Sequence, residues 1–477
     1  MDTSTKKLLN GSVVYFVGNA LTQIISLLLM RFVTGNIAPE EYGFFNLVTT
    51  ISNLAIPFVT LQIADAVFKF VLKSQNEDDK KEYFSICFLI SAISIIIIYA
   101  VVFVISVFYT IPNKFLVATY IASYALIGIY HKITRSLGKN RVLVVGNLAK
   151  TCIFLLLEIV LISYWNMGID ALLLAHIIST SFATIYTEIR IRALKYFSLK
   201  SLKISAFKNM MKFSIPLIPN AVFWWLTSSI NSVIVSFKLG MDVNGIYSVS
   251  SKFTSALSMV TNVLNMSWQD TAIADYGQDN FSTFLTDTFN RFIKLIFSAI
   301  AVLIPLICLV LPYMIDLSYY DAIKFTPFLL IASGISTMSG FMAQIFTGKG
   351  KTQTILITSI FGMIANILTI LILVDKIGLW AAVLGSLVAD SVLFIIRIIL
   401  ARKEFSKGID YRNFIVIFAM TVVSIVMYFK ATAILNLAWL VISAIIAVML
   451  NMQFIKDLFL IIFAKSKKRK TLNEGSR

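Results

Sequence analysis

Residues 84–108 read FSICFLISAISIIIIYAVVFVISVF, an apolar run that contains no charged side chain. About 20 residues of helix cross a ~30 Å hydrocarbon core, so this run is long enough to span a bilayer. Apolar segments of similar length recur along the chain, at about 10–32, 43–68, 84–108, 115–136, 142–164, 169–191, 212–237, 245–272, 289–312, 323–346, 353–374, 379–401, 413–429 and 435–463. The sequence therefore predicts an all-α integral membrane protein with about 14 transmembrane helices.

The composition excludes a soluble globular protein. Of the 477 residues, 58% are hydrophobic and 14% are charged, whereas soluble domains have about 25% charged residues. About 14 helices of about 20 residues occupy about 280 residues, which leaves loops and no sizeable soluble domain. The sequence shows none of the motifs typical of metalloproteases, serine hydrolases or paired-cysteine metal sites. We therefore predict a non-enzymatic protein that uses no metal and no cofactor.

The net charge of +17 is distributed unequally between the loops. If each segment crosses once, the loops on one side carry most of the cations: Lys6 and Lys7; Lys69, Lys73, Lys80 and Lys81; Lys132, Arg135, Lys139 and Arg141; the stretch 190–212; Lys349 and Lys351; the stretch 397–412; and the tail 465–470. The loops on the other side hold few, namely Lys114, Lys238, Lys324, Lys376 and Lys430. The positive-inside rule predicts that the basic side and both termini are cytoplasmic, so the charge indicates topology rather than a nucleic-acid partner.

The two halves of the chain contain matching sequences. Four pairs of stretches match: residues 43–45 with 245–247, 121–123 with 331–333, 138–141 with 348–351, and 168–171 with 378–381. Six helices in each half give both halves the same orientation, which is a parallel repeat typical of transporters. The predicted boundaries are 1–200 for the N-terminal lobe, 201–408 for the C-terminal lobe, 409–464 for two further helices and 465–477 for a basic tail.

Four of the predicted helices carry a polar face, two in each half. The residues are Asn19, Gln23 and Ser26 in the first segment; Asn46, Thr50, Asn53 and Thr60 in the second; Asn220, Thr227 and Asn231, beside Trp224 and Trp225, in the seventh; and Ser248, Ser251, Lys252, Ser255 and Asn262 in the eighth. Polar groups in a bilayer face a bundle interior or an aqueous cavity. We expect the four faces together to line a central cavity, although a single Ser or Thr can instead join packed helices.

Ionisable residues inside the predicted helices are candidates for ligand and ion binding. We interpret Lys252 as a cation that grips an anionic ligand, whereas Arg31 and Lys150 can do the same or extend their charges to a membrane interface. The predicted substrate-binding residues are Arg31, Lys252, Lys150, Gln23, Asn53, Asn220 and Trp225. The predicted ion-coupling residues or counter-ions are Asp65, Glu158 and Asp390, of which Asp65 can also pair with Lys69 one turn on.

Two extended motifs resemble those of a known transporter family. Residues 6–11 (KKLLNG) precede residues 38–43 (APEEYG), and residues 213–219 (FSIPLIP) precede residues 242–248 (DVNGIYS). These stretches resemble the polysaccharide transporters of the multidrug/oligosaccharidyl-lipid/polysaccharide exporter superfamily, such as O-antigen flippases. The resemblance implies two six-helix lobes plus two extra helices around a cationic cavity of alternating access, lined by Arg31, Lys252 and the four polar faces.

The same resemblance implies a flippase. Its substrate class is an undecaprenyl-diphosphate-linked oligosaccharide, moved to the outer leaflet of the bacterial inner membrane for O-antigen lipopolysaccharide or another surface polysaccharide. Expected partners are this lipid-linked oligosaccharide, membrane lipids, and polysaccharide polymerase and chain-length proteins. The alternative is a cation-coupled multidrug (MATE-like) exporter that uses Asp65, Glu158 and Asp390. A membrane scaffold or a glycosyltransferase-like enzyme fits less well, because soluble loops and catalytic motifs are lacking.

Overall fold

The computed structural model describes residues 29–452 and 456, apart from 75, 166, 275, 277–279 and 407–409. All regular structure in this part of the chain is helical. The α-helices are, in chain order, α1 (Met30–Asn36), α2 (Pro39–Val59), α3 (Ile63–Lys73), α4 (Glu77–Phe108), α5 (Lys114–Ser136), α6 (Asn140–Trp165), α7 (Ile169–Ile191), α8 (Ile204–Ser214), α9 (Leu217–Leu239), α10 (Met241–Ala274), α11 (Phe281–Met314), α12 (Ala322–Gly348), α13 (Thr352–Ile377), α14 (Trp380–Ala401), α15 (Tyr411–Lys430) and α16 (Ala433–Leu450). The predicted binding residue Gln23 and the basic tail lie outside the described residues.

Eleven helices in the described part of the chain are long and apolar enough to cross a membrane, and the bent pair over residues 204–239 makes a twelfth if it is one span. These spans account for every predicted segment except the first, of which few residues are described, and the eighth. The eighth segment forms α10, whose 34 residues include many Ser, Thr and Asn side chains that lower its hydropathy. The predicted all-α, multi-pass membrane protein is confirmed.

The second predicted segment is two helices rather than one. α2 ends at Val59 and α3 begins at Ile63, and between them Leu61 and Gln62 both have a φ of 52°. A left-handed conformation costs a non-glycine residue about 1–2 kcal/mol and interrupts the helical hydrogen-bond ladder. The prediction of one continuous apolar helix over 43–68 is therefore wrong. Pro57, which lacks a backbone N–H, is the nearest sequence signal for the break.

The chain packs into two compact units. Unit 1 comprises Met1–Val249 with Ile315–Tyr319, and unit 2 comprises Ser250–Met314 with Tyr320–Arg477. In unit 1, α3, α4, α5 and α8 share an apolar core that contains the fully buried Ile63. In unit 2, α12 and α13 pack against α14, and α11 packs against α15 and α16. The predicted lobe boundaries stay a prediction.

Matched glycines have the same backbone conformation in the two halves of the chain. Gly168, before α7, has φ 53° and ψ −132°, and Gly378, before α14, has φ 57° and ψ −133°. Gly138 and Gly350 also agree, with φ values of 69° and 70° just after α5 and α12. The sequence match of Gly138 with Gly348 is therefore wrong by two residues, because Gly350 has the equivalent conformation.

Candidate functional site

Two glycines allow direct backbone contact between α2 and the start of α10 within unit 1. A Cβ added to Gly43 would lie 1.7 Å from the carbonyl oxygen of Met241, and one added to Gly245 would lie 2.0 Å from that of Pro39. Small residues let helix backbones approach this closely. Pro39 and Met241 each lie four residues before their matched glycine. The contact is therefore reciprocal, as a two-fold relation between matched helices produces.

A buried polar network lies beside this crossing and joins α2, α9 and α10. Asn46 Nδ2 donates a hydrogen bond to Ser232 Oγ over 2.7 Å, and Ser232 Oγ donates to Asn244 Oδ1 over 2.7 Å. Asn244 Nδ2 then donates to the carbonyl oxygen of Gly43 over 2.9 Å. Asn244 is fully buried and Ser232 is nearly so. Because water does not compete at buried positions, these bonds hold the three helix ends in one arrangement.

Three of the predicted binding residues lie on α2 and α9. Trp225 is buried, and its Nε1 donates to the carbonyl oxygen of Thr50 over 2.7 Å, so the indole joins α9 to α2. Asn53 and Asn220 are exposed in the isolated chain. These two residues are therefore accessible, whereas Trp225 is enclosed by protein.

Arg31 is held by residues 315–319, which we call the clasp. Its guanidinium donates to the carbonyl oxygen of Ile315 and lies 3.8 Å from an Asp316 carboxylate oxygen. The Asp316 backbone N–H donates to Thr34 Oγ1 over 3.0 Å. The fully buried Tyr319 donates its hydroxyl to the carbonyl oxygen of Ile37 over 2.9 Å. The clasp thus grips both ends of α1, although the helices on either side of it in sequence, α11 and α12, belong to unit 2.

The electrostatics of the clasp favour an ionised carboxylate. The backbone N–H and hydroxyl of Ser318 hydrogen-bond to Asp316, and the nearby charge of Arg31 acts in the same direction. Together they hold the pKa of Asp316 below its ordinary value. The positive charge of Arg31 is therefore partly compensated by protein groups.

The acidic candidate Asp65 on α3 forms an ion pair with Lys132 on α5. The suggested pairing of Asp65 with Lys69 is therefore wrong. Lys69 instead places its Nζ 3.7 Å from the ring centroid of Phe213. Asp65 pairs with a lysine of the neighbouring helix rather than with Lys69 on its own helix, because α3 and α5 pack together.

Two further candidates lie on α6. Glu158 is buried, with 5% of its surface exposed, and Lys150 is partly buried. The nearby His176 on α7 has its Nδ1 3.3 Å from Thr180 Oγ1 and its ring 4.4 Å from that of Tyr120. The interior of unit 1 therefore contains several ionisable groups among aromatic side chains.

Unit 2 holds the remaining candidates, Lys252 on α10 and Asp390 on α14. Both are partly buried. Asp390 is hydrogen-bonded to Ser336 on α12 and interacts electrostatically with Arg397, which lies two turns further along α14. The described residues bring no three His, Cys, Asp or Glu side chains together as a metal site.

Arg397 is a buried cation that sequence reasoning missed. It was expected among the cytoplasmic loop cations, but 4% of its surface is exposed and it lies within α14. Its guanidinium donates to Ser339 O and Oγ, both over 3.0 Å, to Thr358 Oγ1 over 3.1 Å and to Ser359 Oγ over 2.9 Å. The placement among loop cations is therefore wrong. The sequence does contain a signal that Arg397 lies within a helix rather than in a loop, because apolar residues flank it on both sides.

An apolar cavity of about 330 Å³ lies in unit 2 between α11, α12, α14 and α15. Its walls include Phe297, Met338, Phe394 and Phe418. Ser391 and Thr421 are the polar residues of its lining, and none of the predicted binding residues borders it. This cavity suits hydrocarbon rather than a charged ligand.

Comparison with known proteins gives a family and a fold. A family model described as "Polysaccharide biosynthesis protein" matches residues 8–268. No curated protein matches the sequence. Among solved structures, the chain is similar to the lipid II flippase MurJ in an inward closed conformation, with 13% identity, a TM-score of 0.67, and 94% of this chain and 100% of that chain covered.

Multidrug transporters share the same fold. An inward-facing multidrug resistance MATE family transporter of the MOP superfamily has 13% identity and a TM-score of 0.63, with 80% of this chain and 97% of that chain covered. The Vibrio cholerae MATE transporter VcmN in its bent form has 14% identity and a TM-score of 0.52, with 84% and 98% covered. The fold is therefore that of these transporters.

Proposed function

The chain belongs to the polysaccharide biosynthesis protein family, and from this premise we propose that it is a flippase for undecaprenyl-diphosphate-linked oligosaccharide. The observation that carries the proposal is the family match over residues 8–268, more than half of the chain. The fold shared with a lipid II flippase over 94% of the chain supports it. The product would feed O-antigen lipopolysaccharide or another surface polysaccharide, handed on to a polymerase and chain-length proteins.

We propose a topology in which the basic loops and both termini face the cytoplasm of a bacterial inner membrane. In this topology α2 begins and α9 ends at the outer side. The glycine crossing of Gly43 and Gly245, the network around Asn244, and the clasp then all lie toward that side. Unit 1 is accordingly closed at its outer end, and alternating access requires these contacts to part when substrate leaves.

We propose that cations hold the diphosphate while the isoprenoid tail stays in the bilayer. Lys252 is the leading candidate, because it lies on the polar helix α10 and is partly buried. Lys150, Gln23, Asn53, Asn220 and Trp225 are proposed to border the same path. For Arg31 we propose two roles, binding of the substrate and stabilisation of the clasp, since its guanidinium already binds Ile315 and Asp316.

Gene replacement tests this proposal. Deletion should abolish the surface glycan and leave lipid-linked repeat units on the cytoplasmic leaflet. Wild-type protein should restore the glycan, whereas Lys252→Ala should restore at most a tenth of it at equal abundance in the membrane. Lys376→Ala, at an exposed lysine on α13, is the matched control and should restore it fully. A deletion strain with a normal surface glycan would refute the flippase, and full activity of Lys252→Ala would remove that residue from the binding site.

A cation-coupled exporter is the second candidate, favoured by the fold shared with a MATE transporter and by the enclosed carboxylate of Glu158. Asp390 and Asp65 are the other proposed coupling groups. Drug susceptibility of a sensitised host distinguishes the two functions. An exporter would raise resistance to cationic drugs, whereas the flippase leaves it unchanged.

A further inference from the structure

The segment between α7 and α9 carries an exposed surface of cations and large apolar side chains. Residues 192–214 contain no acidic residue and six cations: Arg192, Lys195, Lys200, Lys203, Lys208 and Lys212. Five large apolar side chains of the same segment are exposed: Leu194, Phe197, Leu199, Ile204 and Phe207. We call these exposed cations and apolar side chains together the linker surface.

Hydrogen bonds and buried side chains attach the segment that carries the linker surface to the rest of unit 1. The Ser198 backbone N–H donates to Ser85 Oγ over 2.8 Å, and Lys203 Nζ donates to Glu82 Oε2 over 2.7 Å. Met210 on α8 is fully buried in the core shared with α3 and α4. The hydrogen bond that Lys203 donates to the Glu82 carboxylate holds the pKa of Lys203 above its ordinary value. Lys203 is therefore engaged by the protein, whereas Lys195, Lys200 and Lys208 are exposed.

The position of the segment relative to the bilayer follows from helix lengths. α9 has 23 residues, and at 1.5 Å per residue it is about 34 Å long, which is enough to cross a ~30 Å hydrocarbon core. Cations are costly in hydrocarbon, and Lys203, Lys208 and Lys212 lie in or beside α8. Within the bent pair over residues 204–239, we therefore place α9 across the membrane and α8 at the membrane boundary. On α8, Ala206 and Met210 face the protein, whereas Ile204, Phe207 and Lys208 share the exposed face. Apolar and basic side chains on one face are typical of interfacial elements.

Exposure of these apolar side chains to water is unfavourable in free energy. Ile204 is 75% exposed and Leu199 is 65% exposed, and each is within a few residues of an exposed lysine. Apolar side chains gain free energy when they enter the boundary between headgroups and acyl chains. Lysines beside them then lie at the level of the lipid phosphates, where an anionic surface attracts them.

We propose that the linker surface docks onto anionic phospholipid headgroups of the adjacent leaflet, with Phe197, Leu199, Ile204 and Phe207 inserted and Lys195, Lys200 and Lys208 binding phosphate. The occupant is bulk anionic lipid of that leaflet, and the site is separate from the proposed substrate path. Docking here fixes the connection between the two repeated halves against the membrane surface.

Titration of phosphatidylglycerol onto the full-length protein, read by native mass spectrometry, tests the proposal. The variant Lys200→Gln/Lys208→Gln should bind the first lipids about 10-fold or more weakly than wild type, since each lysine near an anionic surface contributes about 1 kcal/mol. The control Lys376→Gln/Lys430→Gln removes the same charge from exposed lysines of α13 and α15. It should bind like wild type.

A second variant tests the apolar contribution. Phosphatidylglycerol should raise the thermal midpoint of the wild-type protein in detergent, and the rise should be at least halved in Leu199→Ser/Ile204→Ser. The lipid-free midpoint of this variant should match wild type because both side chains are exposed. Equal lipid affinity of wild type and Lys200→Gln/Lys208→Gln would overturn the proposal. An equal loss in the Lys376→Gln/Lys430→Gln control, or an equal rise with neutral phosphatidylcholine, would do the same.

Discussion

The absence of a Cβ atom at Gly43 and Gly245 allows α2 and α10 to approach closely. Gly43 and Gly245 each contact the carbonyl oxygen of a residue in the other helix, and neither position has room for a methyl group. The sequence predicts these glycines as a matched pair, but it does not predict that they touch, because matching stretches carry no distance information. Only the three-dimensional structure shows that the two glycines lie at one helix contact.

Gly43→Ala should destabilise the contact between α2 and α10 by about 1–3 kcal/mol, because the added methyl group forces the two backbones apart. Gly128→Ala is the control, since a Cβ at this exposed position of α5 meets nothing within 4 Å. We expect Gly43→Ala to lower the thermal midpoint in detergent and Gly128→Ala to leave it unchanged or raise it slightly. Equal midpoints for both variants would contradict the role assigned to the glycine crossing.

The clasp predicts a pH dependence at Asp316. Its pKa in the folded protein is depressed below the ordinary value of 3.8. A depressed carboxyl pKa stabilises the folded state above the unfolded pKa, and this stabilisation is lost as pH falls through the folded pKa. The thermal midpoints of wild type and Asp316→Asn should therefore differ at pH 7 and converge below pH 3.8. A difference that persists unchanged in acid would show that the carboxylate charge does not hold Arg31.

At the scale of elements, Arg397 joins α14 to α12 and α13. Its guanidinium donates hydrogen bonds to hydroxyl or carbonyl oxygens of four residues on these two helices: Ser339, Ile355, Thr358 and Ser359. Periodicity and hydropathy predict the helices themselves, because bilayer thickness dictates their length. They do not predict which side of a helix is enclosed by protein. For that reason Arg397 was misassigned to a loop, and the break between α2 and α3 was missed.

Arg397→Met should destabilise unit 2 by about 3 kcal/mol, because the enclosed hydroxyl and carbonyl oxygens that Arg397 binds on α12 and α13 then lose a charged donor. The double variant Asp390→Asn/Arg397→Met should recover only the part of this loss that comes from the electrostatic interaction of Asp390 with Arg397, as coupled residues do in a double-mutant cycle. Arg402→Gln, at an exposed arginine after α14, is the control and should have little effect. Additive losses in the double variant would show that the two side chains act independently.

At the scale of the whole molecule, composition predicts a multi-pass all-α membrane protein, and short motifs predict the family. Both outcomes are confirmed by the structure and by the family match over residues 8–268. The candidate site is less accessible to sequence reasoning. Trp225 and Arg31 were chosen as ligand-binding residues from their types, yet the structure engages them with Thr50 and the clasp. Polar residues that bind protein and those that bind substrate look alike in one sequence.

Movement of lipid-linked oligosaccharide in proteoliposomes tests the flippase proposal most directly. Purified full-length protein would be reconstituted with an undecaprenyl-diphosphate-linked repeat unit, and a membrane-impermeant lectin or glycosidase would report the fraction of units in the outer leaflet over time. The account predicts transfer of units that were initially shielded, at a rate at least 10-fold above that of empty liposomes and of Lys252→Ala. Transfer no faster than in empty liposomes, with the wild-type protein correctly folded and inserted, would contradict it.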